Sequence, residues 1–541
     1  MPAPPTADPL GSPPLGNDRE RRWTELGSGE FDLLVVGGGI TGAGIAQVAT
    51  ARGYRVALVE RDDFGGGTSG ATSKMLHGGL RYLQQRKISL VREALHERGR
   101  LVRMLGTQRV QSTPFLLPLD GPFGHRLGLR FGTWLYQRLS GDLALGPRKV
   151  LSRAEVSQQV PFLSMEGVRG GVLYLEGVVD DVLLTLTRVG QAAHGGALVL
   201  NHVEAIAPRL DGSGHLQGVR VRDRRSGREA DVRARKVINA AGVWSSGWAG
   251  VDRTPKLRPS KGVHLVFRRK RLPLEVAVVL SAPQGRWVFA LPYGPLSIVG
   301  TTDTDYPGDP SRTRAEPEDL RYLVEVARRC FPSLDLSLKD VVDVYAGLRP
   351  LLDGGAARTN DLSREDVVHE GPGGLLTVAG GKLTTHRAMA DRALDVAGLS
   401  PRGTSRPSPS PAGAISVEGE PWGSWEFPPL WRGTACPGAD VVARALAQEG
   451  SARASLLRPW VESGIRVTGA SSLADLMDRR LHTLQRLDPH FEEVVDEVAR
   501  EAQPLLGWSD DVREREREDY LTRVRFETQA VRSERGDRDA P

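Results

Sequence analysis

The sequence predicts an α/β (α+β) fold that opens with a Rossmann-like dinucleotide-binding domain and closes with a helical C-terminal domain. Three observations predict it. The apolar strand Phe31 to Val36 runs directly into Gly37-Gly38-Gly39-Ile40-Thr41-Gly42. Alternating strand and helix patterns then continue to about Ser400. From Ala439 onward apolar residues recur at three- and four-residue spacing, as at Leu473, Leu476, Met477, Leu481 and Leu484, which is helical periodicity. At 541 residues the chain exceeds one ordinary core, so two or three domains are expected.

The glycine turn matches GxGxxG through Gly37, Gly39 and Gly42. An apolar helix, Ala43 to Ala51, follows, and a second strand, Arg55 to Val59, ends in Glu60, eighteen residues past Gly42. Strand, turn, helix, strand and acid together form a complete dinucleotide-binding unit. The glycines let backbone approach a pyrophosphate, the helix N-terminus offers N–H donors, and Glu60 is placed to bond the adenosine ribose hydroxyls. Two later strand ends have the same character. Lys236 to Trp244 passes through Ala240-Ala241-Gly242, and Leu375 to Val378 leads into Gly380-Gly381 and a helical stretch from Leu383 to Val396. Three such ends along the chain suit an extended FAD better than NAD. A helix N-terminus after Gly381 would stabilise negative charge on a reduced flavin ring.

Five regions are expected. Residues 1–30, rich in Pro and Gly without an apolar segment, read as a disordered tail, neither signal peptide nor membrane span. Residues 31–400 hold the nucleotide- and substrate-binding region. Residues 401–437, with Pro401, Pro407, Pro409 and Pro411, read as a linker. Residues 438–525 form the helical C-terminal domain, and residues 526–541 a polar tail. The net charge of +6 fits an anionic ligand or lipid surface and is too diffuse for nucleic acid, for which no helix-turn-helix or stacking platform is evident. The two cysteines, Cys330 and Cys436, stand far apart with no CxxC, which excludes a disulfide framework and fits a reducing cytosol. No HxxxH or other metal-ligand spacing is present, so no metal is expected.

Thr72-Ser73-Lys74-Met75-Leu76-His77-Gly78-Gly79-Leu80-Arg81-Tyr82-Leu83 resembles the SSKxxHGGxRYL signature of the FAD-dependent, quinone-linked glycerol-3-phosphate dehydrogenases. Lys261 to His264, Gly300 to Asp303, Gly347 to Leu351 and Gly380 to Thr385 extend the resemblance in the same order. It covers about Phe31 to Ala397 strongly and the helical C-terminus more weakly, through Leu473 to Arg480 and Leu506 to Trp508. Two departures stand out: Leu183 where Arg is common after the Asp180-Asp181 pair, and Leu481 where Thr usually follows Arg480. The resemblance implies an FAD domain interleaved with a mixed-sheet substrate domain, like glucose oxidase and D-amino-acid oxidase, and a helical cap.

The activity it implies is oxidation of sn-glycerol 3-phosphate to dihydroxyacetone phosphate, with a hydride passing to FAD. A phosphate dianion calls for arginine forks, and Arg81 and Arg349 match the family's substrate-contacting arginines. Lys382, beside the glycine pair at a helix start where the dipole disfavours a cation, has a ligand reason to be there. His77 and His264 are the candidate bases, with a structural role open for each. Thr72, Ser73 and His77 from the first block, with Gly242, Gly380, Gly381 and Thr385, are the remaining candidates for holding the cofactor; a capping role is also open for Thr385. Amine oxidation would need an Arg pair for a carboxylate but not the HGGLRYL block.

Leu127, Leu129, Phe131, Trp134, Leu135 and Leu139 alternate with Arg126, Arg130 and Arg138 over Gly124 to Leu139. That alternation reads as an interfacial helix with apolar residues on one side and arginines on the other, against an ordinary core helix. With the family resemblance it implies a cytoplasmic protein bound peripherally to the inner face of the cell membrane, on anionic lipid, with a membrane quinone as electron acceptor. Direct use of O2, releasing H2O2, is the alternative. A homodimer is compatible with the reading.

Overall fold

Two mixed sheets divide the chain in a computed structural model that describes residues 15, 18–106, 109–246, 256–353, 365–402 and 437–536. The first has eight strands. Five run parallel side by side in the order Leu376–Gly380, Glu229–Asn239, Glu30–Val36, Val56–Val59 and Leu198–Leu200. Their carboxyl ends therefore share one edge. Leu33 and Val35 pack beneath helices Ile40–Ala51 and His386–Val396, while Leu34 and Val36 face the opposite side. Burial on both faces explains why these strands are continuously apolar rather than alternating.

The second sheet has ten strands. Its centre runs Ser260–Arg268, Leu296–Gly300, Arg286–Tyr293, Ala277–Ala282, Val110–Pro118 and Gly170–Val179, with Val341–Arg349 paired onto Ser260–Arg268. Segments of the two sheets alternate along the chain, so the expected interleaving is present. The C-terminal helices Pro437–Leu446, Gly450–Arg466, Phe491–Leu506 and Asp510–Arg535 pack on the first domain; Leu457, Leu476 and Val494 belong to the same core as Val35 and Ile45. Charged anchors accompany that contact: Arg480 reaches Asp63, and Arg486 holds Asp343 at 2.9 Å. No described helix is long and apolar enough to cross a membrane.

Two expected boundaries change. Within the presumed 1–30 tail, Arg19–Ser28 is an α-helix whose Trp23 and Leu26 are buried against the strands. Its apolar pair was hidden among five charged neighbours. Within the presumed 526–541 tail, the last helix continues to Arg535, burying Thr528, Ala530 and Val531. Most of the 401–437 linker lies outside the described residues.

Helix His386–Val396 starts on a buried histidine. The Nε2 of His386 accepts from Arg188 Nε at 3.0 Å, and its Nδ1 bonds the Leu383 carbonyl at 2.8 Å, which fixes one neutral tautomer. Burial and then Arg188 push this imidazole from 6.5 down to about 3. Between those values the unfolded chain takes a proton that the folded chain refuses. Stability therefore falls as pH falls through this window, by about 1.4 kcal/mol per pH unit from this group. In His386→Asn the loss of stability from about pH 6 to about pH 4, measured by urea unfolding, should be smaller than in the parent. An unchanged loss would show that His386 already carries its proton in the folded state.

Candidate active site

The nucleotide crevice is built at the shared carboxyl edge of the parallel strands. Gly37 has φ +105°, and a Cβ there would lie 2.6 Å from the Ala240 carbonyl oxygen. A Cβ on Gly42 would lie 1.9 Å from the Gly37 oxygen. No other residue fits either position, so the turn and the start of helix Ile40–Ala51 close on each other as a pyrophosphate cradle requires. Gly39 follows as the helix N-cap, and Ser69 Oγ accepts from Ile40 N at 2.9 Å. Glu60, just past strand Val56–Val59, accepts from Gly38 N at 2.6 Å and Asp62 N at 2.8 Å. Burial raises its carboxyl pKa. Gly242 opens a short turn beyond strand Glu229–Asn239, and Gly380 and Gly381 end the neighbouring strand. The predicted cofactor glycines and Glu60 thus lie along adjacent strand ends, and the cradle they frame fits an extended dinucleotide.

The hydroxyl-bearing candidates are engaged within the protein. Thr72 donates Oγ1 to Asp181 at 2.6 Å, and Ser73 Oγ pairs with His264 Nε2 at 2.8 Å. Thr385 Oγ1 bonds the Lys382 carbonyl at 3.4 Å and makes no capping bond to the helix it precedes.

Beside this crevice is a small cavity of about 110 Å³. His77, Arg81 and Arg349 line it, together with Arg286, Glu176 and Thr301. Arg349 stands at the end of strand Val341–Arg349, opposite Ser260. Its guanidinium bonds Thr301 Oγ1 at 3.1 Å and the Thr302 carbonyl at 3.3 Å, and lies 3.5 Å from Asp303. The Gly300–Asp303 segment therefore aims this arginine. Lys382 reaches over from the other block, its Nζ 4.0 Å from the centre of the Tyr82 ring. Thr384 Oγ1 accepts from His77 N at 3.1 Å and ties the same two blocks together.

The two histidines separate. His77 lines the cavity. His264 does not; it is buried, stacked on Tyr345 at 4.6 Å between ring centres, and among the described residues its Nδ1 meets no hydrogen-bond partner. Burial first, then Arg349 and Lys74, push His264 well below the ordinary imidazole value, so it is neutral at pH 7. Asp180, Asp181 and His482 converge closely enough to hold a cation. The position is taken by Lys74, whose ammonium lies 2.7 Å from Asp181 and 3.0 Å from His482.

Sequence reasoning missed Arg286, Glu176 and Tyr136. Arg286 begins a strand after an ordinary Gly turn, with no local signal. Glu176 is the one charged side chain in Gly170–Val179, an otherwise apolar strand, and that isolation was the available clue. It pairs with Arg98 and accepts from Tyr136, whose hydroxyl also accepts from Gly78 N at 2.8 Å. The Gly124 to Leu139 reading is corrected in one respect. Helix Phe123–Ser140 buries Leu129, Thr133, Tyr136 and Ser140, whereas Phe123 (71%), Leu127 (54%), Phe131 (59%) and Trp134 (48%) are exposed. Arg130 and Arg138 share that outward face instead of opposing it.

A family model described as FAD dependent oxidoreductase (DAO) matches residues 32–387. Glycerol-3-phosphate dehydrogenase 2 of Mycobacterium bovis is 35% identical over 93% of this chain and 90% of its own. Aerobic glycerol-3-phosphate dehydrogenase of Staphylococcus aureus is 38% identical over 70% of this chain and 69% of its own. Among solved structures, glycerol-3-phosphate dehydrogenase of Bacillus halodurans complexed with FAD superposes with a TM-score of 0.71 at 27% identity, covering 94% of this chain and 97% of its own.

The cradle makes a sharp prediction. Gly42→Ala must open the turn by more than an ångström, because its Cβ would meet the Gly37 oxygen at 1.9 Å. The variant should purify folded by circular dichroism but with flavin absorbance per chain reduced at least about tenfold. Full flavin content would place the pyrophosphate elsewhere.

Proposed function

The chain belongs to the FAD-dependent oxidoreductase family, among the glycerol-3-phosphate dehydrogenases, and we propose that it oxidises sn-glycerol 3-phosphate to dihydroxyacetone phosphate and passes the electrons to a membrane quinone. The observation that carries the substrate reading is the convergence of Arg81, Arg286 and Arg349 on one small cavity beside the nucleotide crevice. Arginine forks match phosphate oxygens, and charge-assisted bonds are worth about 1.5–3 kcal/mol each. Bound flavin supplies the acceptor for the hydride leaving C2.

The chain's own residues bind and orient. Arg349, held by Thr301 and Thr302, fixes the phosphate end. Lys382, reaching the HGG turn over Tyr82, holds negative charge near the reacting carbon. His77 takes the C2 hydroxyl proton, because it lines the cavity while His264 does not. His264 instead holds Ser73 and keeps the floor of the site neutral.

The acceptor reading rests on helix Phe123–Ser140. Its exposed Phe123, Leu127, Phe131 and Trp134 form one stripe flanked by Arg130 and Arg138, a composition suited to the interface of an anionic lipid layer. The opposite face carries Tyr136, bonded to Gly78 beside the cavity, so a docked helix would bring the lipid close to the site of oxidation. Docking would hold a cytoplasmic protein peripherally on the inner face of the membrane.

Arg349→Ala should raise the KM for glycerol 3-phosphate at least about tenfold, the effect of one lost charge-assisted contact. Steady-state kinetics that leave both KM and kcat unchanged would make Arg349 structural. Trp134→Glu should release the protein from anionic liposomes while dye-coupled activity in solution persists. Sedimentation with lipid at the parental level would move the docking surface elsewhere. Stoichiometric peroxide without added quinone would replace the quinone by O2.

A further inference from the structure

A second cavity, of about 540 Å³, lies away from the substrate pocket. It sits where helix Arg19–Ser28, edge strand Leu198–Leu200 and the carboxyl ends of helices Gly450–Arg466 and Phe491–Leu506 meet. Arg19, Arg22, Arg225 and Arg466 line it, and among the described residues no carboxylate does. Much of the remaining wall is apolar, including Phe64, Val199, Ile465, Leu505 and Leu506. Volumes of this order hold small organic ligands.

The arginines are anchored rather than loose. Arg19 bonds the Asn201 carbonyl at 2.9 Å and pairs with Asp223 at 3.2 Å; Arg225 bonds the Ser471 carbonyl. Each guanidinium carries five N–H donors, more than these partners use. Burial, and then the nearby Arg225, lower the pKa of Arg19, and burial with Arg21 and Arg19 lowers that of Arg22. Like charges gathered around a cleft repel one another, and an anion between them relieves that cost. An apolar wall opposite the charges favours a ligand with an apolar body.

We propose that this cleft binds an organic phosphate with an apolar body, of the alkyl phosphomonoester class, independently of the substrate pocket. Arg19, Arg225 and Arg466 receive the phosphate, and Phe64, Val199 and Leu505 cover the apolar part. The site backs onto the nucleotide frame. Asn201 gives its amide to Asp63 at 2.9 Å, Asp63 receives Arg480 from the C-terminal domain, and the carbonyl of Leu200 accepts from Glu60 N at 2.9 Å. The same phosphate chemistry is available from a soluble ligand or a lipid headgroup.

Titration calorimetry of the FAD-loaded protein tests this with octyl phosphate below its micelle concentration, inorganic phosphate, and phosphatidic acid vesicles. Octyl phosphate should saturate one site per chain at least about tenfold more tightly than inorganic phosphate. Arg225 and Arg466 are exposed, so the double variant Arg225→Glu, Arg466→Glu should keep its flavin and its melting temperature while losing at least about tenfold in octyl phosphate affinity. Arg349→Ala should leave that affinity unchanged. Vesicle binding that falls with the same double variant assigns the phosphate to a headgroup; vesicle binding that holds assigns it to a soluble ligand. Each supports the site. Absence of saturable binding, equal affinity for inorganic phosphate, an unaffected double variant, or loss in Arg349→Ala would overturn it. If the double variant loses flavin, Arg466→Glu alone carries the test, with an expected loss of at least about threefold; no loss there overturns the site as well.

Discussion

The buried ammonium of Lys74 is where the parts of this protein meet. It is fully enclosed, and its partners come from separate regions: the Gly70 carbonyl beside the nucleotide turn, Asp181 at the head of helix Asp181–His194, and His482 from the C-terminal domain. The ring of Tyr345, from the second sheet, lies 5.1 Å away. An isolated charge at such depth would cost many kcal/mol, so the site exists only when all these regions are in place. Lys74 itself has φ +58°, which aims its side chain inward while the chain continues to His77 and Arg81. Asp181 also receives the amide and hydroxyl of Thr72, so the same carboxylate sets the backbone that leads into the cavity.

The electrostatics of the cavity follow from that frame. Three arginines line a small volume, and the two acids that share its wall are each engaged by an arginine: Asp303 lies beside Arg349, and Glu176 is bound to Arg98. With three arginines on the wall and both acids already engaged, the cavity suits an anionic substrate. His264 does not line it. Its depressed basicity keeps a further positive charge from forming beside Arg349, so His264 itself adds no pH-dependent charge near neutrality.

Much of this was legible in the chain. The turn from Val36 through Gly42 to Glu60 specifies its own geometry locally, because steric limits at Gly37 and Gly42 act within a few residues. Arg81, Arg349, Lys382 and His77 stood in long motifs and arrive together or close by. What was not legible depends on tertiary context. Arg286 joins the cavity through sheet pairing that sets Phe289 opposite Gly300 and so carries the start of Arg286–Tyr293 toward the Gly300–Asp303 segment. Helix Arg19–Ser28 has too little apolar surface to read as ordered, and folds because the back of the first sheet needs covering at Leu34 and Phe31. The base candidates His77 and His264 were alike by residue type; burial, the Ser73 contact and the lining of the cavity tell them apart.

Helix Phe123–Ser140 reverses the usual logic of a surface helix. Its inner face carries Leu129 with Thr133, Tyr136 and Ser140, the last three hydrogen-bonded to Leu129, Gly78 and Arg98, while its outer face carries Phe123, Leu127, Phe131 and Trp134. In water that arrangement forgoes the burial that normally pins a helix to its core. Polar inner contacts therefore add to the burial of Leu129 and the Tyr136 ring in fixing its position, and they do so on Gly78 and Glu176, the backbone and the carboxylate that border the cavity. Four large apolar side chains held outward by a polar anchor are intelligible when the outer face has an apolar medium of its own. The helix then joins two constraints in one element: the outer one set by whatever surface it meets, the inner one set by the turn that carries His77 and Arg81.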